Sequence, residues 1–419
     1  MITIIDILSI LICTLILTKA INRLFIYGVN VYYVLLFVFY AVQVFPLITD
    51  IIYKEELNSL NPVIFKAMTD VRVALMYDLF VVSVSIILYK WAKKTEDLST
   101  LIIINSLKNI RLSPKMTIIL FIISFLPVIF ALFSPNPSIY LNFAFLYKEN
   151  LTTSLIDILY FNEVVSPIIY ISLMAILLLY VGKKNLFSIY LLIFLTLWVS
   201  QKRAFIFFAL GGILFIDLLQ QRFHNNIYRF IKKTILLFLI AIGYFIIYAN
   251  NTIKGIGDSG YSTYVMYGTR HYCMKTAIYD SLRDNKILDY PGQSVLFDLL
   301  FFIPRTYWEN KPVMYQRYFT SYVLGRNVDD DVNKWLNLLV NVWTEFTSNF
   351  GLIIGSLIAL YLIKFLVNIS KDNKISYFAV TLFLSTYFEF GFEPILMWIY
   401  VFWLFTIIIK RKYIKIIKK

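Results

Sequence analysis

The chain has 419 residues, 60% of them hydrophobic and 15% charged, with a mean hydropathy of +0.74. Soluble domains carry about 25% charged residues, so this composition excludes a soluble globular protein and points to an integral membrane protein. The formal charge of +14 does not signal nucleic acid, because Lys and Arg fall mostly in short segments between apolar runs, the pattern that orients membrane helices.

Apolar runs fall near residues 2–19, 29–49, 70–92, 116–135, 163–182, 185–200, 203–220, 234–250, 345–367, 375–391 and 394–410. Each is read as a helix across a hydrocarbon layer of about 30 Å. The expected fold is all-α and polytopic, with about eleven transmembrane helices. The first run follows only Met1 and precedes no small-residue cleavage site, so it reads as a retained helix. Cys13 in that run and Cys273 in a polar region suggest neither a disulfide nor a metal site.

The basic tail KRKYIKIIKK is expected in the cytoplasm, and counting backwards from it assigns sides to the rest. Lys19/Arg23, 93–115, Lys183/Lys184, 222–233 and 371–374 then share the tail's side, and all are basic. The other side receives loops near 50–69 and 136–162, the turn at 200–203 and a long segment over about 251–335. Three regions are expected: a bundle of about eight helices over 1–250, the external loop region 251–335, and the C-terminal helices and tail over 336–419. The turn WVSQKRAF therefore places Lys202 and Arg203 outside, in the kind of short loop that normally sheds positive charge.

Within the external segment, residues 262–284 carry Val265, Tyr272, Thr276 and Tyr279 at helical spacing and predict an amphipathic helix bearing Arg270 and His271. SVLFDLLFFI, residues 294–303, follows Pro291-Gly292 and stops at Pro304. It is too short to span and predicts an interfacial or re-entrant helix.

The external cations are Lys202, Arg203, Arg270, Lys275, Arg283, Arg305, Lys311 and Arg317. Guanidinium forks match phosphate oxygens two at a time, so several together suit a diphosphate; contact with lipid head groups would account for them individually. In FFIPRTYWENKP, residues 301–312, Tyr307 and Trp308 offer faces to sugar rings and Glu309 adds a carboxylate; an interfacial aromatic belt is the alternative. Glu345 and Asn349 lie four residues apart on one helix face, where Glu345 is a candidate general base and Asn349 a sugar contact. His271 is a second candidate base. Asp329, Asp330 and Asp331 read as a solvated loop rather than a cation site, so no metal is expected. Asp78, midway along the third run, should be paired or functional. No P-loop, GxSxG, HExxH or dinucleotide fingerprint occurs in a usable context.

Taken together, three features resemble the Wzy-type oligosaccharide repeat unit polymerases of O-antigen and capsule synthesis. They are the Arg-bearing turn SQKRAFIFFALGG, then Pro304, Arg305, Trp308, Lys311 and Pro312, then Glu345, Asn349, Phe350, Gly351 and Gly355. Neither Arg203 nor Arg270 is followed by the Arg-to-Gly spacing that some members show. The resemblance implies a GT-C-like membrane glycosyltransferase in the bacterial cytoplasmic (inner) membrane, with its active site facing outside. It would transfer a growing glycan from undecaprenyl diphosphate to a new lipid-linked repeat unit, without cofactor, metal or nucleic acid.

The same resemblance gives Arg203, Arg270 and Arg305, with Lys202 and Lys311, the departing diphosphate. Glu345 or His271 would be the base, and Tyr307, Trp308, Glu309 and Asn349 would meet sugars. Implied partners are membrane lipids, a chain-length regulator and a flippase of the same pathway. An O-antigen ligase acting on lipid A-core and a lipid-linked oligosaccharide flippase remain as alternatives.

Overall fold

The computed structural model describes residues 2–27, 30–107, 113–142, 155–182, 186–200, 204–219, 227–251, 261, 265, 269–283, 287–300, 303, 307–328, 338, 340–370, 380–381 and 384. Among the described residues every regular element is helical and none is a strand. In chain order they are α1 (Ile2–Tyr27), α2 (Val31–Phe39), α3 (Phe45–Ile52), α4 (Pro62–Thr69), α5 (Val71–Leu107), α6 (Pro114–Leu132), α7 (Leu155–Tyr160) and α8 (Ser166–Val181). Next come α9 (Leu186–Ser200), α10 (Ala204–Leu219), α11 (Ile227–Asn251), α12 (His271–Ser281), α13 (Gln293–Leu299), α14 (Tyr315–Leu324), α15 (Val342–Phe350) and α16 (Leu352–Ser370).

Among the described residues, five stretches are long and apolar enough to cross a membrane: Ile4–Leu24, Val31–Ile52, Val71–Glu96, Pro114–Leu132 and Leu352–Ser370. Helices α8 and α9 are apolar but shorter, and the expected runs at 375–391 and 394–410 fall almost wholly outside the described residues. The second stretch is one span with a wide turn in it. Pro46 has no N–H to give, and the chain takes a π-helical turn over Tyr40–Val44 just before it. The Gln43 carbonyl there accepts from the Tyr77 hydroxyl at 2.7 Å, so the bulge leaves that group satisfied.

The chain forms two compact units, one from 1–26, 30–99 and 256–419 and the other from 27–29 and 100–255. Helices α1 to α4 and most of α5 thus belong to one unit with residues beyond 256. In the first unit Asn30 caps α2 and also donates to the Ala92 carbonyl (3.2 Å) and the Thr95 hydroxyl (2.8 Å), tying the start of α2 to α5. Arg23 grips Glu96 through two nitrogens at 2.6 and 2.7 Å, and Tyr33 donates to the same carboxylate. These bonds join the basic ends of α1 and α5, which the charge count assigns to one side.

The far end of this unit carries a hydrophobic core. Leu60, Ile64 and Met68 from the α4 region pack with Tyr272, Tyr315 and Phe319. A segment too short to build a core alone borrows one from residues 57–68. Helix α12 runs through this end with every residue from His271 to Asp280 buried, where an amphipathic helix over 262–284 was expected. Helix α13 stops at Leu299 instead of reaching Ile303.

The expected span at 345–367 is also broken. Gly351 takes φ +77°, a conformation that L side chains rarely adopt, and separates α15 from the membrane-length α16. Four residues on, a Cβ at Gly355 would sit 2.4 Å from the Phe346 carbonyl oxygen, so only glycine lets α15 fold back this closely on α16. Glu345 and Asn349 consequently stand on a short helix of their own.

In the second unit, α6 to α11 pack as apolar helices, with Ser172 on α8 donating to the Ser124 carbonyl of α6 at 2.8 Å. Asp217 is its one buried acid on α10. It accepts from Tyr180 at 2.8 Å and pairs with Lys233, which also donates to Tyr180 at 2.9 Å.

Candidate functional site

Two polar clusters meet at the far end of the first unit, and both hang on α12 and its neighbours. The first centres on Asp50, at the end of α3. Its Oδ1 accepts from the Tyr261 hydroxyl at 2.8 Å, and its Oδ2 lies 2.8 Å from His271 Nε2 and 3.9 Å from Lys275 Nζ. The other imidazole nitrogen, Nδ1, is 3.0 Å from the Thr269 hydroxyl. Lys275 is 2% exposed and its ammonium stands over the Tyr77 ring at 5.2 Å. Asp6 on α1 and Asp78 on α5 are buried within electrostatic range of this ammonium. A buried cation needs such company, since an isolated ammonium in a low dielectric is prohibitively costly. Asp78 has this ammonium within electrostatic range, while both of its buried carboxyl oxygens lack a hydrogen-bond partner.

The second cluster is built across α13 and α15. Asn341 caps α15, its side-chain oxygen accepting from the Thr344 N–H at 2.9 Å and the Thr344 hydroxyl at 2.6 Å. One turn further Glu345 is buried, and one turn beyond it Asn349 is 2% exposed. The Asn349 amide nitrogen donates to the Ser294 hydroxyl of α13 at 2.8 Å and to the Glu345 carbonyl at 2.7 Å. Ser294 and Asp298, four residues apart on α13, both face the Glu345 carboxyl. Glu345 Oε1 and Asn349 Oδ1 are buried acceptors with no protein partner.

Burial pushes the Asp298 carboxyl well above the usual carboxylate range, and the facing Glu345 raises it further. Burial raises Glu345 as well, while Ser294 and Asp298 bring it partly back. Two carboxyls this close in a water-poor site cannot both ionise at ordinary cost.

The clusters are neighbours through α12 and α15, which pack on each other and touch where Thr347 Oγ1 meets Met274 Sδ at 3.6 Å. Tyr315 on α14 bonds Ser348 at 2.6 Å from the other side, and burial lifts its phenol well above the ordinary range. Burial also pushes the Cys273 thiol up to about 12, which makes it a packing residue and not a nucleophile.

Of the residues read from sequence, Glu345 and Asn349 stand together in one cluster and His271 in the other. Arg270 is buried beside His271, its Nη1 on the Thr269 carbonyl at 2.5 Å. Lys311 is buried against α13, with Nζ donating to the Ile303 carbonyl at 2.7 Å and lying 5.2 Å from the Phe297 ring centre. Tyr307 is 84% exposed, Glu309 is exposed and Trp308 is half-buried; no hydrogen bond joins these three to either cluster. Lys202, Arg203, Arg305 and the run Asp329 to Asp331 lie outside the described residues. Among the described residues no group of three His, Cys, Asp or Glu side chains has metal-binding geometry.

Sequence reasoning missed Asp50, Tyr261, Ser294 and Asp298. Asp50 sits just past the apolar run 29–49, a weaker form of the signal that singled out Asp78 midway along its run. Nothing in the spacing marked Ser294 and Asp298 as partners of residues about fifty positions away. A separate open cavity of 320 Å³ is lined by Lys66, Thr69, Asp70, Tyr279 and Arg283, with the Arg283 guanidinium 4.5 Å from the Tyr279 ring centre.

The chain matches no protein-family model, and it matches no curated protein and no solved structure. Fold and composition define its class: an all-helical protein with several helices able to cross a membrane.

Proposed function

We propose that the protein is a polyprenyl-diphosphate-dependent glycan polymerase, acting outside the bacterial cytoplasmic membrane on lipid-linked oligosaccharide repeat units. One observation carries the reading. Glu345, in the motif that resembles the Wzy-type polymerases, is a buried carboxyl with an unpartnered oxygen beside the equally unpartnered amide oxygen of Asn349. Buried acceptors left open in this way are suited to a ligand rich in hydroxyl donors, such as a sugar.

Glu345 is the better base of the two candidates. Both nitrogens of His271 are already engaged and its ring is fully buried, so it serves to hold Asp50 and Lys275. In the reaction, the acceptor hydroxyl gives its proton to Glu345 as its oxygen bonds the donor's anomeric carbon. The bond from that carbon to the diphosphate oxygen breaks, and the lipid diphosphate leaves with the electron pair. Arg203 and Arg305 would neutralise that charge, helped by Lys202. Tyr307 and Trp308 would guide the glycan chains. A glycosyl transfer between two lipid-linked glycans needs no cofactor.

Purified protein reconstituted with lipid-linked repeat units alone should produce a ladder of longer glycans. Arg203→Ala and Arg305→Ala should abolish the ladder at unchanged protein level. Normal laddering by either variant removes its diphosphate role, and no ladder from the wild type sinks the polymerase. A transporter is the second reading, favoured by the buried charges of Asp6, Asp50, Asp78 and Lys275 along the helices of the first unit. Translocation of the lipid-linked glycan across the same vesicles, without a ladder, would establish it.

A further inference from the structure

We infer that Asp6 and Asp78 form an intramembrane site for a small monovalent metal cation, a sodium ion, held between α1 and α5. The site takes no residue from the Glu345 cluster and stands whether the protein polymerises glycans or moves them.

The register of the two helices places the acids. Helices α1 and α5 run parallel, tied at one level where Ser85 donates to Cys13 Sγ at 3.6 Å and at a later level where Arg23 grips Glu96 at 2.6 Å. Residues that meet along this pair are therefore 72 or 73 positions apart in the chain. Seven residues make about two helical turns and return to the same face. Asp6 stands that far before Cys13 on α1, and Asp78 stands that far before Ser85 on α5. The two acids thus have the same separation as Cys13 and Ser85 and face each other across the helix pair. Both lie inside stretches long and apolar enough to cross a membrane, Ile4–Leu24 and Val71–Glu96.

The acids are 5% and 3% exposed, and Asp6 Oδ1 and both carboxyl oxygens of Asp78 have no hydrogen-bond partner. Three open acceptors on facing residues inside a membrane call for a positive ligand. Ser9, one turn beyond Asp6 on α1, is buried as well and brings a hydroxyl oxygen. The neighbouring polar groups are committed elsewhere. Lys275 of α12 stands over the Tyr77 ring and 3.9 Å from Asp50, and Asp50 itself is held by Tyr261 and His271.

The oxygens select the ion. A proton bridges two of them and leaves the third open. Calcium takes about six to eight oxygens, and magnesium keeps several waters, more than two acids and one hydroxyl provide in a buried place. A monovalent ion of the same oxygen-preferring kind satisfies all three acceptors with the fewest ligands.

Purified full-length protein in detergent should bind radioactive sodium saturably, at one ion per chain, with ionic strength held constant by choline chloride. Asp78→Asn should weaken that binding about 100-fold, Asp6→Asn about tenfold or more, and Ser9→Ala about three- to tenfold. Cys13→Ala, at the neighbouring helix contact, should bind as the wild type does. Replacing choline by sodium should raise the thermal midpoint of the wild type by about 2–5 °C and leave that of Asp78→Asn unmoved.

A wild type without saturable sodium binding overturns the site. So does binding that is unchanged in Asp6→Asn and Asp78→Asn, which puts the ion elsewhere. Should Asp78→Asn fail to fold, Asp78→Glu keeps the charge on a longer arm and should shift the affinity about tenfold; an unchanged affinity is again fatal. Absent sodium binding together with an infrared band of a protonated carboxyl that Asp78→Asn removes would assign the pair to a proton and end the sodium assignment.

Discussion

The two polar clusters of the first unit are built from the same kinds of residue and finished differently. Around Asp50 both carboxylate oxygens, both imidazole nitrogens and the Lys275 ammonium have partners from the chain itself. Around Glu345 the chain supplies a like charge and two hydrogen-bonding neighbours, then leaves two acceptors open. A self-satisfied cluster lowers the free energy of the fold; an unsatisfied one raises it, and that cost is tolerated where a substrate completes the bonding. Burial and charge alone do not separate the two cases. What separates the Asp50 carboxylate from the Glu345 carboxyl is whether the last hydrogen bond is made; Asp6 and Asp78, near Lys275, also leave buried oxygens open.

Substitutions can break or sharpen this contrast. The largest effect is expected from Glu345→Gln, which should reduce laddering by about 10²- to 10⁴-fold while leaving thermal unfolding in detergent intact at neutral pH. Its stability should also differ in a definite direction. The folded protein holds the Glu345 proton above its ordinary value near 4.5, so the native state binds more protons than the unfolded chain. Wild-type stability therefore falls as pH rises from that value through the raised one, and Asp298 adds to the same slope. The Gln variant should lose Glu345's share of that fall and be the more stable protein at alkaline pH. If it is less stable there, Glu345 belongs to the closed class.

Lys275→Met should do the opposite, lowering stability by about 3–5 kcal/mol because it strands buried carboxylates. Adding Asp50→Asn to it should recover part of the loss in the same unfolding measurement. A Lys275→Met protein of wild-type stability would show that the Asp50 cluster is not structural. Gly355→Ala comes next, at about 1–3 kcal/mol, since the new methyl must push α15 away from α16. Laddering should fall with it, because the displaced helix bears Glu345. Smallest is Tyr307→Ala. On a side chain 84% exposed it should move stability by no more than about 0.5 kcal/mol. Its KM for the lipid-linked glycan should rise about two- to tenfold as a stacking face is lost.

The part of this architecture visible in sequence was whatever one helix decides locally. Apolar runs marked α1, α5, α6 and α16, and a spacing of four put Glu345 and Asn349 on one face. Run length did not reveal where backbone breaks fall. The positive-φ Gly351 sits inside the stretch 345–367 that reads as one span, and the π turn before Pro46 changes no residue's hydropathy. Helix α12 was misread for a related reason. Its Lys275 and Asp280 look like solvent-facing positions, yet both are buried, because Asp50 of α3 meets the first and the Ile287 N–H meets the second. Asp298 was hidden by distance along the chain, since a partner across two helices leaves no periodic trace.

Gly351 has a consequence for how the protein can vary. As a joint between a membrane rod and a short arm, it lets the rod be specified by the thickness of the bilayer and the arm by what it must touch. Lengthening α16 by a turn at its far end would leave Glu345 where it is. Removing the joint would weld the two tasks together, and every change of membrane would then become a change of chemistry.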